Sequence, residues 1–343
     1  MIRVKALEPW ITPDGEQVER VLVDNGVIAM EVLSLGGIIR SLWVPNKHGD
    51  RQNVVLGCDS TEQYLQQQAH LGAVAGRYAN RIANGKLTRS GNVYQLDINK
   101  DGNCLHGGHQ GFSYKNWQMG SLPDGVRLSL HSPDGDMGFP GNCNVQLDYR
   151  IVGANLFVEF QATVDKACPI NLTQHSYFNL DGSTHIGQHS LQSDCRQVLK
   201  TDATGIPTTI ISSTKGPLDF NTEKMLGLDL MAKELQPTEG FDHCFLMPKT
   251  LDTIQRFGYL KSNQSGIKMT LHTNQSGVQL YTANFLQGTV GKGNQTLQQH
   301  QGVCIEPQCL PDAPNQTELL GNVWLEAGEV YHHISRYQFD VTE

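Results

Sequence analysis

The sequence reads VRLSL at residues 126–130, VQLDYRI at 145–151 and LFVEFQATV at 156–164. In all three stretches apolar residues alternate with polar ones, which is the pattern of a strand with one buried and one solvated face. A loop rich in Gly, Pro and Asp at residues 133–142 separates the first two stretches. Consecutive strands of this kind predict an antiparallel meander that covers the core with one face.

Strand signals of the same type continue in both directions along the chain. Short apolar runs occur at residues 20–24, 27–35, 268–273 and 277–285, and turn residues separate them. Helical stretches do not alternate with these runs, and no linker, repeat or low-complexity tract interrupts the chain. The pattern therefore predicts an all-β fold in a single domain over residues 1–343.

Few helices are expected. Residues 61–68 predict a helix of one or two turns, with Ser60 or Thr61 as its N-cap. Residues 221–235 are the best candidate for a longer helix, because apolar residues recur there at roughly helical spacing. Residues 331–341 predict a final pair of strands.

The composition argues against several classes of partner. Of the 343 residues, 26 are basic and 34 are acidic, which gives a net charge of −8, and no cluster of Lys or Arg interrupts this balance. Nucleic acid and acidic membrane surfaces are therefore poor partner candidates. No apolar run approaches the roughly 18 residues of a membrane span, and residues 1–15 lack the pattern of a signal peptide.

The eight cysteines form no CxxC pair. Without a secretion signal they are expected to be free thiols in a reducing compartment, which predicts a cytoplasmic protein. Structural disulfides are the alternative.

Two stretches far apart in the chain offer acid–base chemistry. TQHSYFNLDG, at residues 173–182, places His175 on a turn after a strand-like run, and an imidazole transfers protons near neutral pH. VCIEPQCLPDAPN, at residues 303–315, places Glu306 at the end of a short apolar run, before a proline-rich loop. A single histidine near a strand is more often a hydrogen-bonded structural residue, so the hypothesis depends on both residues together.

Further polar residues stand at predicted strand ends or on glycine-rich loops. Their side chains both donate and accept hydrogen bonds, which suits a small, uncharged, hydroxyl-rich ligand, and nearby aromatic rings can stack on a sugar. No glycine-rich loop leads into a helix and no group of basic residues occurs, so a phosphate-bearing ligand is disfavoured. The polar candidates are Asn80, Arg81, His106, Asp242 and Gln279, and the aromatic candidates are Tyr78, Tyr177 and Phe178.

His106 and His109 lie on the loop NKDGNCLHGGHQG at residues 99–111 and are the candidates for a metal site. The HxxH spacing on a glycine-rich loop, without a carboxylate at helical spacing, does not match a usual zinc pattern. We therefore expect no metal. His106 is expected either to hydrogen-bond a ligand or to be a plain loop residue.

Six motifs spread over nearly the whole chain resemble the aldose 1-epimerase family, the galactose mutarotases. The resemblance implies a large antiparallel β-sandwich with few short helices. It also implies that the chain interconverts the α and β anomers of galactose, glucose and related free aldoses, without a metal or another cofactor. In the family's order, the motifs are GRYANRIANGKL (76–87), LHGG (105–108), HSYFNLDG (175–182), GFDHCF (240–245), GVQLYTANFL (277–286) and IEPQCLPDAPNQ (305–316).

The resemblance also implies roles for single residues. Glu306 matches the family's general base, and His175 matches its general acid. The other candidates match residues that bind sugar hydroxyls or steady the ring oxygen, and Tyr177 joins this set as an aromatic contact. The predicted substrate-binding residues are thus Asn80, Arg81, His106, Tyr177, Asp242 and Gln279.

Arg77 and Pro307 are sequence neighbours of predicted site residues. Arg77 stands beside the Asn-Arg pair of GRYANR and is expected to support it. Pro307 follows Glu306, where a small polar residue is more familiar in the family, and proline biases the preceding backbone toward an extended conformation. That bias is compatible with a base at the end of a strand.

Three other functions would use similar residues. A non-catalytic carbohydrate-binding protein needs the same polar and aromatic side chains but no acid–base pair. An epimerase of hexose phosphates needs more cations than Arg77 and Arg81. A glycoside hydrolase needs two carboxylates flanking the scissile bond, a role open to Asp242 and Glu306. The sequence leaves open which free aldose is preferred and whether the chain is a monomer or a homodimer.

Overall fold

The computed structural model describes residues 2–248 and 254–343, and in this part of the chain strand residues far outnumber helical ones. Its largest sheet has nine antiparallel strands and contains the meander predicted from residues 126–164. The all-β fold class is therefore confirmed. In spatial order the strands are Gln118–Leu122, Gly125–Ser132, Cys143–Val152, Asn155–Val164, Val330–Val341, Ile267–Thr273, Gln255–Lys261, Ser190–Ser193 and Lys224–Met225.

Two further sheets have five strands each. The first comes from the start of the chain and consists of Arg3–Ala6, Arg20–Asp24, Ala29–Leu33, Ile39–Pro45 and Arg51–Asn53. The second carries the predicted base and consists, in spatial order, of Pro207–Ser212, Gln197–Thr201, Asp242–Leu246, Gly277–Tyr281 and Cys304–Gln308.

Short elements connect these sheets. Two-stranded pairs join Trp10–Ile11 with Gln17–Val18, Val74–Ala75 with Thr173–Gln174, Arg81–Ile82 with Cys104–Leu105, Lys86–Arg89 with Asn92–Gln95, and Cys168–Pro169 with Trp324–Leu325. The α-helices of the described residues are Thr61–Gln66 and Thr317–Leu320. The 3-10 segments are Ala83–Gly85, Phe112–Tyr114, Asp136–Gly138, Ile186–Gln188, Leu226–Leu228, Lys233–Thr238, Lys292–Asn294 and Ala313–Asn315.

The predicted short helix and its cap are confirmed. The Oγ atom of Ser60 accepts a hydrogen bond from the backbone N–H of Gln63 at 3.2 Å, which satisfies one of the free amides of the first turn. Across the described ranges, every helix is too short or too polar to cross a bilayer.

Both five-stranded sheets pack against the same face of the nine-stranded sheet. Tyr149 and Tyr337 project from that face, and both are buried. The hydroxyl of Tyr149 donates to the carbonyl of Gly37 at 2.7 Å, at the first five-stranded sheet, and that of Tyr337 donates to the carbonyl of Ile305 at 3.4 Å, in the second. One apolar cluster draws on all three sheets, so the layers form a sandwich around a common core.

Two predictions of local structure were wrong. Residues 221–235 do not form a helix: the strand Lys224–Met225 pairs with Ser190–Ser193, and two 3-10 segments follow. The apolar spacing did not mark a buried face, because Leu228 is 67% exposed. The pairing of Lys224–Met225 within the nine-stranded sheet prevails over helical propensity. The end of the chain is one strand, Val330–Val341, rather than a pair.

Candidate active site

Three adjacent strands of the second five-stranded sheet carry Asp242, Gln279 and Glu306. Gln279 stands opposite Glu306 on one neighbouring strand and opposite Cys244 on the other. Asp242 is two residues from Cys244 on the same strand, so the side chains of Asp242, Gln279 and Glu306 share one face of the sheet. The side-chain amide of Gln279 donates to Oδ1 of Asp242 at 2.6 Å, which holds both groups in place. The Oε1 atom of Gln279 is buried and has no hydrogen-bond partner among the described residues.

Glu306 lies in the middle of its strand, Cys304–Gln308, not at the end as predicted. This strand is the edge of its sheet, which explains why it accommodates Pro307: proline cannot donate to a ladder, and an edge strand has one side without a ladder. The side chain of Glu306 is buried, at 2% exposure.

His175 reaches Glu306 from a different part of the fold. The strand Thr173–Gln174 pairs with Val74–Ala75, and the N–H of His175 donates to the carbonyl of Ala73 at 2.8 Å. This pairing directs the imidazole at the edge strand, where its Nε2 atom lies 3.6 Å from Oε2 of Glu306. The other ring nitrogen, Nδ1, lies 3.5 Å from Sγ of Cys304, so the ring stands between Glu306 and Cys304.

His106 and Asn80 form a mutually supporting pair. The N–H of Asn80 donates to Nδ1 of His106 at 3.2 Å, and the N–H of His106 donates to the carbonyl of Asn80 at 3.1 Å. Because Nδ1 accepts, the proton of the neutral ring is on Nε2. The side-chain oxygen of Asn80 accepts from the N–H of Arg81 at 2.9 Å, which leaves its NH₂ group as a donor.

All eight predicted site residues line one cavity of about 330 Å³. Its wall offers donors from Asn80 and His106 and acceptors from Asp242 and Gln279, beside the acid–base pair. Such a mixture matches the hydroxyls of a small uncharged molecule. The eight residues are Asn80, Arg81, His106, His175, Tyr177, Asp242, Gln279 and Glu306.

Burial shifts the pKa values of the two predicted proton-transfer groups in opposite directions. It raises the pKa of Glu306 well above its usual range, and the carboxylate of Asp242 adds to this. It lowers the pKa of His175 to about 3, and His70 adds to this. Near neutral pH the pair therefore holds a single proton and has no net charge. Burial also keeps the pKa of His106 well below its usual range, so His106 is a neutral donor.

His175, Cys304 and Glu306 could in principle hold a metal ion, since one ligand atom from each lies within 4.8 Å of the others. A thiol binds a metal as its thiolate, and burial raises the pKa of Cys304 well above its usual range. This disfavours a cation, and the absence of a metal stays a prediction.

Other residues named from the sequence lie elsewhere. The guanidinium of Arg77 is buried and donates to the carbonyls of Ser132, Pro140 and Gly141 at 3.0, 3.1 and 2.8 Å. Tyr78 and Phe178 are core residues and not part of the cavity wall, because their rings face the sandwich interior. The eight cysteines are all free, as predicted.

Among the cavity residues that were not predicted are four with aromatic or imidazole rings. Tyr281 follows from the alternation of the strand Gly277–Tyr281, which brings it two residues beyond Gln279 on the same face. Phe285 belongs to the motif GVQLYTANFL and could have been selected as an exposed aromatic. His70 and Tyr114 carry no local signal, because they come from connecting segments that only the tertiary structure brings to the cavity.

The chain is similar to known proteins over nearly its whole length. The family model described as aldose 1-epimerase matches residues 19–338. The galactose mutarotase of Rattus norvegicus is 38% identical over 332 residues, which cover 95% of each chain. The aldose 1-epimerase of Escherichia coli is 36% identical over 338 residues, covering 96% of this chain and 98% of the relative.

Two solved structures have the same architecture. An aldose epimerase homologue from C. elegans superimposes with a TM-score of 0.87 at 29% identity, covering 93% of this chain and 97% of that chain. The galactose 1-epimerase from Lactobacillus acidophilus gives a TM-score of 0.84 at 25% identity, covering 100% of this chain and 99% of that chain. The predicted large antiparallel β-sandwich is thereby confirmed.

Proposed function

We propose that this chain, which belongs to the aldose 1-epimerase family, interconverts the α and β anomers of free aldohexoses such as D-galactose and D-glucose, with Glu306 as general base and His175 as general acid. The chain is an isomerase of the aldose 1-epimerase type. The observation that carries the assignment of roles is the separation of 3.6 Å between Nε2 of His175 and Oε2 of Glu306 inside the cavity.

This separation suits the reacting atoms. The hydroxyl oxygen and the ring oxygen, O5, are both bonded to C1, so an acid and a base that act on them must be close neighbours. The ionised Glu306 takes the proton of the C1 hydroxyl while the protonated His175 gives a proton to O5. The C1–O5 bond breaks and an aldehyde forms; rotation about C1–C2 then exposes its other face.

Ring closure reverses the two roles. His175 takes back the proton from the O5 hydroxyl as that oxygen attacks C1, and Glu306 returns its proton to the new C1 hydroxyl. The pair therefore ends each turnover as it began. Well-placed acid and base groups each contribute about 10²–10⁴-fold to such a rate.

The protonation of the pair is compatible with this cycle. Before a sugar binds, burial favours the form with the proton on Glu306, since that form has no separated charges. Moving this one proton to Nε2 of His175 produces the working acid and base without exchange with solvent. The hydroxyls of the bound sugar can stabilise the ionised form, because they donate hydrogen bonds to the carboxylate.

The rest of the cavity supports a free sugar as substrate. Arg81 and His106 supply donors for hydroxyls or the ring oxygen, and Asp242 and Gln279 supply acceptors. These donors and acceptors match the uncharged hydroxyls of a free aldose.

We also propose that the enzyme works in a reducing, cytoplasmic environment as a monomer or homodimer. The support for the compartment is that Cys58, Cys104, Cys143, Cys168, Cys195, Cys244, Cys304 and Cys309 are free. A small-molecule aldose is its expected partner.

Polarimetry of freshly dissolved α-D-galactose and α-D-glucose tests the proposal. We expect the wild type to speed the approach to an unchanged final rotation, and Glu306→Gln to lose nearly all of this effect while keeping the circular dichroism spectrum. Glu318→Gln, at an exposed position, is the matched control and should behave as wild type. Sugar binding without any faster rotation would favour a carbohydrate-binding protein instead. Substantial activity in Glu306→Gln would contradict the assigned base.

A further inference from the structure

Beside His106 and His175 the cavity wall carries a further imidazole, that of His70, which the proposed reaction does not use. The ring of His70 lies 5.0 Å from that of His106 and 6.0 Å from that of His175, and the latter two rings are 5.4 Å apart. His70 thus occupies the cavity wall beside both residues. It comes from the segment between the helix Thr61–Gln66 and the strand Val74–Ala75.

The orientation of His70 is fixed. Its Nδ1 atom lies 2.9 Å from Oγ of Ser113, and its ring contacts the edge of Tyr114 at a centroid distance of 5.7 Å. The backbone of His70 has φ 52°, in the left-handed region that few side chains adopt, and its carbonyl accepts from the N–H of Ala73 at 3.0 Å. Asn80 and His106 share this conformation, with φ 66° and 52°. Strained backbone of this kind clusters at functional sites.

The other ring nitrogen of His70 distinguishes it from a structural histidine. His333 is a structural histidine of this fold: it is buried, its Nδ1 lies 3.0 Å from the carbonyl of Leu172, and its Nε2 lies 2.7 Å from Oγ of Ser335. By contrast, Nε2 of His70 has no partner among the described residues, and it is not sealed off from solvent. A polar atom that is held rigidly at a cavity wall and left open is available to a ligand.

We propose that His70 is a further substrate-binding residue, whose Nε2 atom hydrogen-bonds one hydroxyl of the bound sugar while Ser113 holds the ring in position. The inference rests on the proposed function, since it names an additional contact in the same cavity. A sugar hydroxyl both donates and accepts, so it pairs with Nε2 in either tautomer of the ring. Burial lowers the pKa of His70 to about 4, which keeps the ring neutral and suited to an uncharged partner.

The test is a steady-state comparison of wild type with His70→Phe, which keeps a flat ring but removes both nitrogens. With D-galactose we expect KM to rise about 2- to 12-fold, the range for one neutral hydrogen bond, and kcat to change little. The same comparison is made with galactose analogues that each lack one hydroxyl. One of these analogues lacks the hydroxyl that His70 binds. For that analogue the wild type and His70→Phe should have the same KM, because neither protein can form this hydrogen bond.

Matched variants make the result specific. His131→Phe changes an exposed histidine on the meander and should leave KM unchanged for every sugar. Ser113→Ala should raise KM less than His70→Phe and should lose its effect with the same analogue. Circular dichroism and thermal melting check that His70→Phe is folded. If it is not, His70→Asn replaces it, because the shorter amide can keep the contact of Nδ1 with Ser113 but has no group at the position of Nε2.

Three results would overturn the inference. They are an unchanged KM in the folded variant, a rise in KM of equal size with every analogue, and a loss confined to kcat. The proposed function fails separately: in that case the wild type itself would not speed mutarotation of any sugar, whatever His70→Phe does.

Discussion

The Nε2 atom of His175 lies 3.6 Å from Oε2 of Glu306, although the two residues belong to different elements of the sandwich. One follows the short strand Thr173–Gln174, and the other lies in the middle of the edge strand Cys304–Gln308. Both side chains are buried, at 5% and 2% exposure. At this distance and in this environment we expect the two groups to titrate as a pair, and the pair rather than either residue to determine how activity depends on pH.

The first prediction concerns that pH dependence. The pair is active with one proton, so kcat/KM should follow a bell-shaped profile. Burial lowers the pKa of His175 to about 3 and raises that of Glu306 well above its usual range. We therefore expect the acid limb far below the ordinary histidine value of about 6.5, with full activity retained at that pH. Polarimetry at a series of pH values, after subtraction of the uncatalysed rate, measures both limbs.

The fold has to be monitored in the same experiment. His106 and His175 have a lower pKa in the folded than in the unfolded chain. Below pH about 6.5 the unfolded chain therefore binds more protons, and the free energy of unfolding falls as the pH falls. Circular dichroism at each pH separates this loss from titration of the pair. An acid limb near pH 6.5 in fully folded protein would show that His175 titrates as a solvated imidazole, contrary to the structure.

The second prediction is that Gly205 positions Arg81. A Cβ atom at Gly205 would lie 2.7 Å from both Cζ and Nε of Arg81, and the φ of Gly205 is 81°. Gly205→Ala should displace the guanidinium and lower kcat/KM at least about tenfold, because a hydrogen bond from a charged donor is lost.

Gly15→Ala is the control for the glycine substitution. Gly15 has φ 90° and no atom within 4 Å of its added Cβ, so this variant introduces similar backbone strain away from the cavity. It should keep the kcat/KM of the wild type. If kcat/KM fell equally in Gly205→Ala and Gly15→Ala, or fell in neither, contact with Gly205 would not position Arg81.

The third prediction is that Arg77 stabilises the fold and takes no part in the reaction. Its guanidinium is buried and donates to the carbonyls of Ser132, Pro140 and Gly141. Arg77→Met should lower the free energy of unfolding by at least about 3 kcal/mol, because several buried acceptors lose a charged donor. The folded variant should keep the wild-type kcat/KM.

The control for Arg77 is Arg150→Met. Arg150 forms an ion pair with Asp124 at 2.7 Å, but its side chain is 48% exposed, so its loss should cost less than about 1 kcal/mol. Urea unfolding at one temperature compares the variants. Two results would contradict the structural role of Arg77. One is a similar fall in the free energy of unfolding in Arg77→Met and Arg150→Met, and the other is a lower kcat in Arg77→Met while it is fully folded.

Features that depend on neighbouring residues could be predicted from the sequence. The strands Cys143–Val152 and Asn155–Val164 were recognisable because successive side chains of a strand point to opposite faces, so burial of one face appears directly as alternation. The cap at Ser60 was recognisable for the same reason, since an N-cap bonds within its own first turn. The same local reasoning was wrong for residues 221–235, where pairing with Ser190–Ser193 decides the conformation.

The sequence by itself determined the class of fold, the family and the set of groups available for catalysis, because strand periodicity and family motifs are written in consecutive residues. Only the tertiary structure decided which of these groups meet. Strand register sets Gln279 opposite Glu306, and the pairing of Thr173–Gln174 with Val74–Ala75 turns His175 toward that carboxylate. His70 lines the cavity and Gly205 lies against Arg81, each from a connecting segment without any motif. Their roles arise from distances between segments far apart in the chain, and burial that shifts a pKa exists only once those segments have packed together.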